Sequence, residues 1–199
     1  TMGLRSDFDL TDRQKLDSGG AIAIPRGDSR VVVDRNDSTL RIGNADITSV
    51  GKITIYNGAN ADLYSEVAAT TYGLAGAAIG DSRAEFNSET KIFIDAGAFI
   101  ESLGDIEISA GRNSDGAQTV AVNAETRLFN KTAIPIPTPP NADAIARTTS
   151  LVSIANGAEI KAVEDVAINS IAGGRDVLGF GLGKDSWREA AEEVGNFFG

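Results

Sequence analysis

The chain has 199 residues, 28 acidic and 18 basic, for a net charge of −10. Apolar residues make up 42%, which suits one domain with a sizeable core and excludes wholesale disorder. Histidine and cysteine are absent, which removes imidazole acid–base catalysis, thiol chemistry, disulfide stapling and the usual zinc sites.

In chain order, residues 1–27 are read as an N-terminal cap or irregular lead-in, polar and charged over 1–18. Asp7, Asp9 and Asp12 could gather oxygens for a loosely bound calcium ion, although the glycine and distal glutamate of an EF-hand loop are missing. A solvated acidic stretch is the plainer reading. The start at Thr1 is that expected of a processed or excised piece of something longer.

From 28 to 178 the chain repeats itself. Residues 28–58 match 81–111 at an offset of 53 from Ala45 onward, with one residue shifted near Leu40; residues 141–170 match again at an offset of 60. Ile42, Ile94 and Ile154 share one column, and Ile47, Ile100 and Ile160 another. Ile53, Ile106 and Val166 follow, then Ile55, Ile108 and Ile168. Alternation of period two predicts short strands with Ile92, Ile94, Ile100, Ile106 and Ile108 inward. Phe93, Asp95, Glu101, Asp105 and Glu107 would face out as solvating charges and rim. Asn44, Gly97 and Gly157 share a turn column, which predicts left-handed backbone there. Each repeat is read as two coils of about 25 residues, the second being the Ala/Gly-rich stretch at 61–79.

The second copy is seven residues longer than the first, and its surplus coincides with NKTAIPIPTPPN at 130–141, which holds four of the five prolines. Such a run predicts a stiff polyproline II loop projecting from the stack. Ile134, Pro135, Ile136, Pro137, Pro139 and Pro140 are its candidate interaction residues, and a plain spacer is the alternative. Asp115 and Gly116 mark an ordinary turn.

Residues 179–199 open with Gly179, Gly181 and Gly183, read as a flexible link. Ser186 and Glu189 then fit a capping box, and Trp187, Ala190, Ala191, Val194, Phe197 and Phe198 recur at helical spacing. The segment predicts a short amphipathic helix that covers an open end of the stack or docks on a partner chain. Trp187, Phe197 and Phe198 are its contact candidates.

Together these features predict an all-β chain: a right-handed parallel β-helix, or β-solenoid, with a short C-terminal amphipathic helix. A β-sandwich of look-alike strands competes with it. The cadence VAATTYGLAGAAIGDSRAEFNSETKIFIDAGAFIESLGDIEISA, with its GAFIES and GDIEI turns, resembles the repeats of filamentous-haemagglutinin-like bacterial exoproteins, over roughly 28–173. The resemblance implies that fold, secretion to the extracellular space or cell surface, and a structural or adhesive role. Self-association with neighbouring copies, and contact with glycans, are the expected partners.

No P-loop, dinucleotide fingerprint or nucleophile elbow is present. No catalytic residue and no cofactor is expected beyond loosely held calcium. The acidic balance argues against nucleic acid. No apolar run is long enough for a membrane-spanning helix. The alternatives are a β-helical polysaccharide-active enzyme, for which Asp105 and Glu107 lie on one strand face as paired carboxylates do but with no third group beside them, and a carbohydrate-binding module using the proline loop or Tyr56, Tyr64, Tyr72 or Phe93.

Overall fold

The computed structural model describes residues 1–185, and every regular element among them is a strand. A first pass of the chain lays down β1 (Met2–Ala23), β2 (Arg26–Ile42) and β3 (Asp46–Ser49). The second contains β4 (Ile53–Gly76), β5 (Ile79–Ile94), β6 (Phe99–Ser102) and β7 (Ile106–Ala110). A two-stranded hairpin, β8 (Arg112–Asn113) and β9 (Gly116–Ala117), leads into the third pass. That pass contains β10 (Thr119–Pro135), β11 (Asn141–Ile154), β12 (Glu159–Ala162) and β13 (Val166–Ser170), and β14 (Gly174–Asp185) follows it.

Apart from the hairpin, every pairing is parallel and joins a stretch of chain to its counterpart 52 to 60 residues later, so that the start of β4 pairs with β7 and its remainder with β1 and β10. The sheets curl part-way round a shared interior as a half-barrel. Parallel pairing requires a long return between partners, and here the rest of each pass is that return. One pass is therefore one layer, and one repeat makes one layer of 53 to 60 residues, not two coils of 25. The Ala/Gly-rich 61–79 stretch is the body of β4, paired with β1 on one edge and β10 on the other.

The isoleucine columns are register partners. Ile42 lies beside Ile94 and Ile94 beside Ile154; Ile53, Ile106 and Val166 line up likewise, as do Ile55, Ile108 and Ile168. The members from the first two layers fill one end of the interior with Ile92 and Ile100, whereas Ile154, Val166 and Ile168 of the last layer are exposed. Val31, Leu63, Phe86 and Val122 fill the middle, where Phe8 meets Phe86 edge to face with centroids 5.6 Å apart, and Ala69, Ala78 and Leu128 form a third group beyond them. Each such side chain contributes about 1.5–3 kcal/mol when fully buried. Between these apolar groups the interior is fastened by hydrogen bonds. Asn57 Nδ2, between the isoleucines and Leu63, donates to the Ser38 and Lys91 carbonyls at 2.8 and 2.9 Å, and beyond Leu63 the Ser29 and Ser65 hydroxyls lie 2.8 Å apart.

Four expectations change. Residues 2–23 are not a cap: they form β1, a full layer in register with β4 from Met2 against Ile55 to Ala23 against Gly76. Gly179, Gly181 and Gly183 are not a link: they sit in β14, paired with Ala124, Thr126 and Leu128. These inward glycines bring the backbones together, since a Cβ on Gly179 would lie 2.6 Å from the Ala142 carbonyl oxygen. The turn column is left-handed at Gly97 (φ +80°) and Gly157 (φ +91°) but not at Asn44, where the first layer bends without any positive-φ residue. Finally, the shifted residue is a bulge at Asp34–Arg35, between Val33 and Asn36, rather than near Leu40. The helix expected around Trp187, Phe197 and Phe198 lies outside the described residues.

Candidate functional site

The outer face of the long sheet carries a charged ladder. Arg13, Glu66 and Glu125 are successive register partners, with Tyr64 and Arg127 two positions away on either side. Tyr64 Oη donates to Glu125 Oε2 at 2.7 Å, and Arg127 pairs with Glu125 at 2.6 Å and Glu66 at 3.6 Å. Arg13 reaches Glu66 at 3.6 Å while its guanidinium stacks 4.8 Å from the Tyr64 ring centroid. Burial and the neighbouring carboxylates push the Tyr64 hydroxyl up to about 12, so it keeps its proton. Both carboxylates are matched by guanidinium groups. The cluster binds layers together and offers no unpaired base or nucleophile.

A second ladder crosses the opposite sheet. Arg83, Asn87 and Arg147 converge on Glu85, Asn87 at 3.0 Å and Arg147 at 2.8 Å. The hydrogen bond from Arg83 comes first among the causes that hold this carboxyl down at about 2. Glu107 is likewise not a free solvating charge. It pairs with Lys52 at 2.8 Å and with Arg112, and these cations hold it below its usual range. Asp105 accepts from the Asp165 backbone N–H at 3.3 Å. Neither pairing was legible in the sequence: Lys52, just before β4, reaches Glu107 from the adjacent layer, and Arg112 comes back to it across the corner between β7 and β8.

The hairpin accounts for the longer second repeat. β7 meets β4 at an offset of 53, whereas β10 meets it at 59, so six of the seven extra residues lie in the hairpin connection. Only one falls at the proline corner, where Asn141 meets Asp81 at an offset of 60. Asp115 at the hairpin tip pairs with Arg5 at 3.1 Å, and Asn113 Nδ2 donates to Asn60 Oδ1 at 2.8 Å.

Two clefts of about 370 and 420 Å³ flank this point and share Asp62 and Thr119; Arg5 and Asp9 line one, Arg175 and Asp176 the other. Asp7, Asp9 and Asp12 do not converge. Asp7 pairs with Arg5 at 2.8 Å, Asp9 lines a cleft, and Asp12 accepts from the half-buried interior side at Ser29 Oγ, 2.8 Å. Among the described residues no three acidic side chains are grouped to hold a metal ion.

The proline segment turns the chain from β10 to β11. Pro135 ends β10 opposite Gly76, and 136–140 have no regular structure. Ile134, Ile136, Pro137 and Pro139 are exposed, while Pro135 and Pro140 are half-buried. Pro140 packs on β14, its Cγ 3.3 Å from where a Gly181 Cβ would be. Ile134 is not alone. Ile22, Leu74 and Ile134, one per layer, are 75%, 60% and 60% exposed at this corner, and Ile24 lies beside them. Sequence reasoning found the third-layer part of this ridge through its prolines and missed the rest because 1–27 had not been aligned. Trp187, Phe197 and Phe198 lie outside the described residues.

The fold and these surfaces define a parallel, layered all-β repeat chain. No family model, no curated protein and no solved structure matches it.

Proposed function

We propose that this chain is a non-catalytic structural or adhesive element of the bacterial cell surface, a right-handed parallel β-helix that associates with copies of itself. Its stacked layers make a stiff wall, and the proline-bearing corner is its contact surface. The observation that carries the reading is the apolar ridge at that corner. Large aliphatic side chains stay in solvent in every layer there, whereas the charged ladders of the two broad faces are internally paired. The likeness of the repeats to filamentous-haemagglutinin-like exoproteins points the same way. Sedimentation velocity and electron microscopy of the purified chain over rising concentration test it. Concentration-dependent assemblies are expected, and a monomer throughout would sink the reading.

A carbohydrate-binding module is the second reading, favoured by the adjoining clefts beside the hairpin, which present carboxylate and guanidinium groups to hydroxyl-rich ligands. A glycan array that gives signal with the wild type and none with Asp62→Ala would favour it.

A further inference from the structure

A second corner carries its own exposed ridge. Leu103 N–H donates to the Ser49 carbonyl and Val163 N–H to that of Ser102, both at 3.0 Å, so Val50, Leu103 and Val163 stand one above another in successive layers. They are 89%, 59% and 73% exposed. This column is the connection between the shortest sheet and the start of the long one, at the far end of β4 from the proline corner.

The two ridges complement each other in pitch and charge. At the proline corner Ile22, Ala75 and Ile134 are register partners, with the exposed Leu74 beside Ala75. Val50, Leu103 and Val163 are aliphatic in every layer as well. Both columns step by one layer, about 4.8 Å. Leu103 therefore meets the Leu74–Ala75 position while the valines meet the flanking isoleucines, whichever way the layers of the two molecules run. The proline-corner segments 19–27, 72–80 and 131–140 carry Arg26 and Lys131 and no carboxylate. The opposing segments 49–53, 102–106 and 162–166 carry Asp105, Glu164 and Asp165 against Lys52.

We infer that the Val50–Leu103–Val163 column of one copy seats the Ile22–Ala75–Ile134 column of a second copy. This rests on the self-association proposed above and names the surfaces that perform it. Because the two patches differ and lie at opposite ends of β4, the contact is heterologous: each copy keeps one patch for a further neighbour, and assembly continues sideways until a ring closes or a ribbon extends. The patches are small beside a standard interface of about 20–30 residues a side, so assembly is expected only as concentration rises.

Complementation by two variants tests this. Leu103→Asp destroys one patch and Ile134→Asp the other; both positions are exposed, so thermal unfolding should match the wild type. By sedimentation velocity each variant alone should be at least tenfold weaker in self-association. An equimolar mixture, which retains one intact pair of patches, should give dimers and nothing larger. Wild-type-like assembly by either variant, or a mixture that stays monomeric, overturns the inference while leaving self-association standing. A wild type that is monomeric throughout overturns both. Because the chain has no cysteine, a second readout is available. Leu103→Cys mixed with Ala75→Cys should cross-link on oxidation, and neither should do so alone.

Discussion

Ile106 in the middle layer and Val166 in the layer beyond it are register partners, each preceded by an aspartate. Ile106 has no exposed surface, whereas Val166 is 44% exposed; Ile108 and Ile168 differ in the same way. Direction in these strands is set by their own alternation, but burial at this end of the stack needs a further layer, which β7 has in β13 and β13 lacks. The middle layer should therefore contribute most of the stability, and four measurements can break or sharpen that contrast.

The largest effect is expected from Ile106→Asp, which buries an unpaired charge. It should cost more than about 4 kcal/mol and abolish cooperative unfolding. Ile168→Asp should cost about 1 kcal/mol. Equal losses in thermal unfolding would mean that the outer layer is covered in solution.

Next comes Gly73→Ala. Gly73 has φ +132°, and a Cβ there would overlap the Gly20 carbonyl oxygen of the layer below. A loss of about 2–3 kcal/mol in denaturant unfolding is expected, against little change for Gly51→Ala, which faces open space.

Glu85→Gln should cost about 1–3 kcal/mol at neutral pH, the range for hydrogen bonds to a charged group. The pH dependence has a definite sign. The Glu85 carboxyl sits at about 2 in the fold against an ordinary 4.5. Its contribution is thus complete above about pH 4.5 and lost as pH falls toward 2. Wild type and variant should converge in Tm over that window; parallel curves would show that the Arg83 and Arg147 pairs carry no stability.

The smallest effect belongs to the outer layer's Glu159→Gln. Its pair with Lys161, 2.7 Å long, has both side chains more than half exposed, and a change within about 0.5 kcal/mol is expected.

Much of the parallel architecture was legible in the isoleucine columns, because apolar alternation at a fixed offset survives in all three repeats. The first layer was not legible. As an outer layer it needs fewer apolar inward positions, and it places Asp12 and Gln14 where β4 has Ser65 and Val67. The available signal was GDSR at both 27–30 and 80–83; extended backward at the same offset, it pairs Leu10 with Leu63 and Gly20 with Gly73. The glycines of β14 misled for a physical reason. Spacing of two puts them on the inner face of a strand, where backbones touch. The same spacing also reads as a flexible tether. Of the candidate surfaces, the prolines marked the corner where the exposed Ile22, Leu74 and Ile134 lie, but not as an insertion, since six of the seven extra residues lie at the hairpin. The charged ladders required knowledge of which passes are adjacent, which no local pattern carries.

The glycines of β14 have a geometric consequence. Where the second layer holds Leu63 and Phe86 between its walls, the last presents Gly179, Gly181 and Gly183 opposite Ala142 and Pro140. Between β14 and β11 the two walls therefore approach to near backbone contact, whereas the second layer keeps bulky side chains between them. The first and last layers are thus unlike, and a rod built from such units would not look the same when turned upside down.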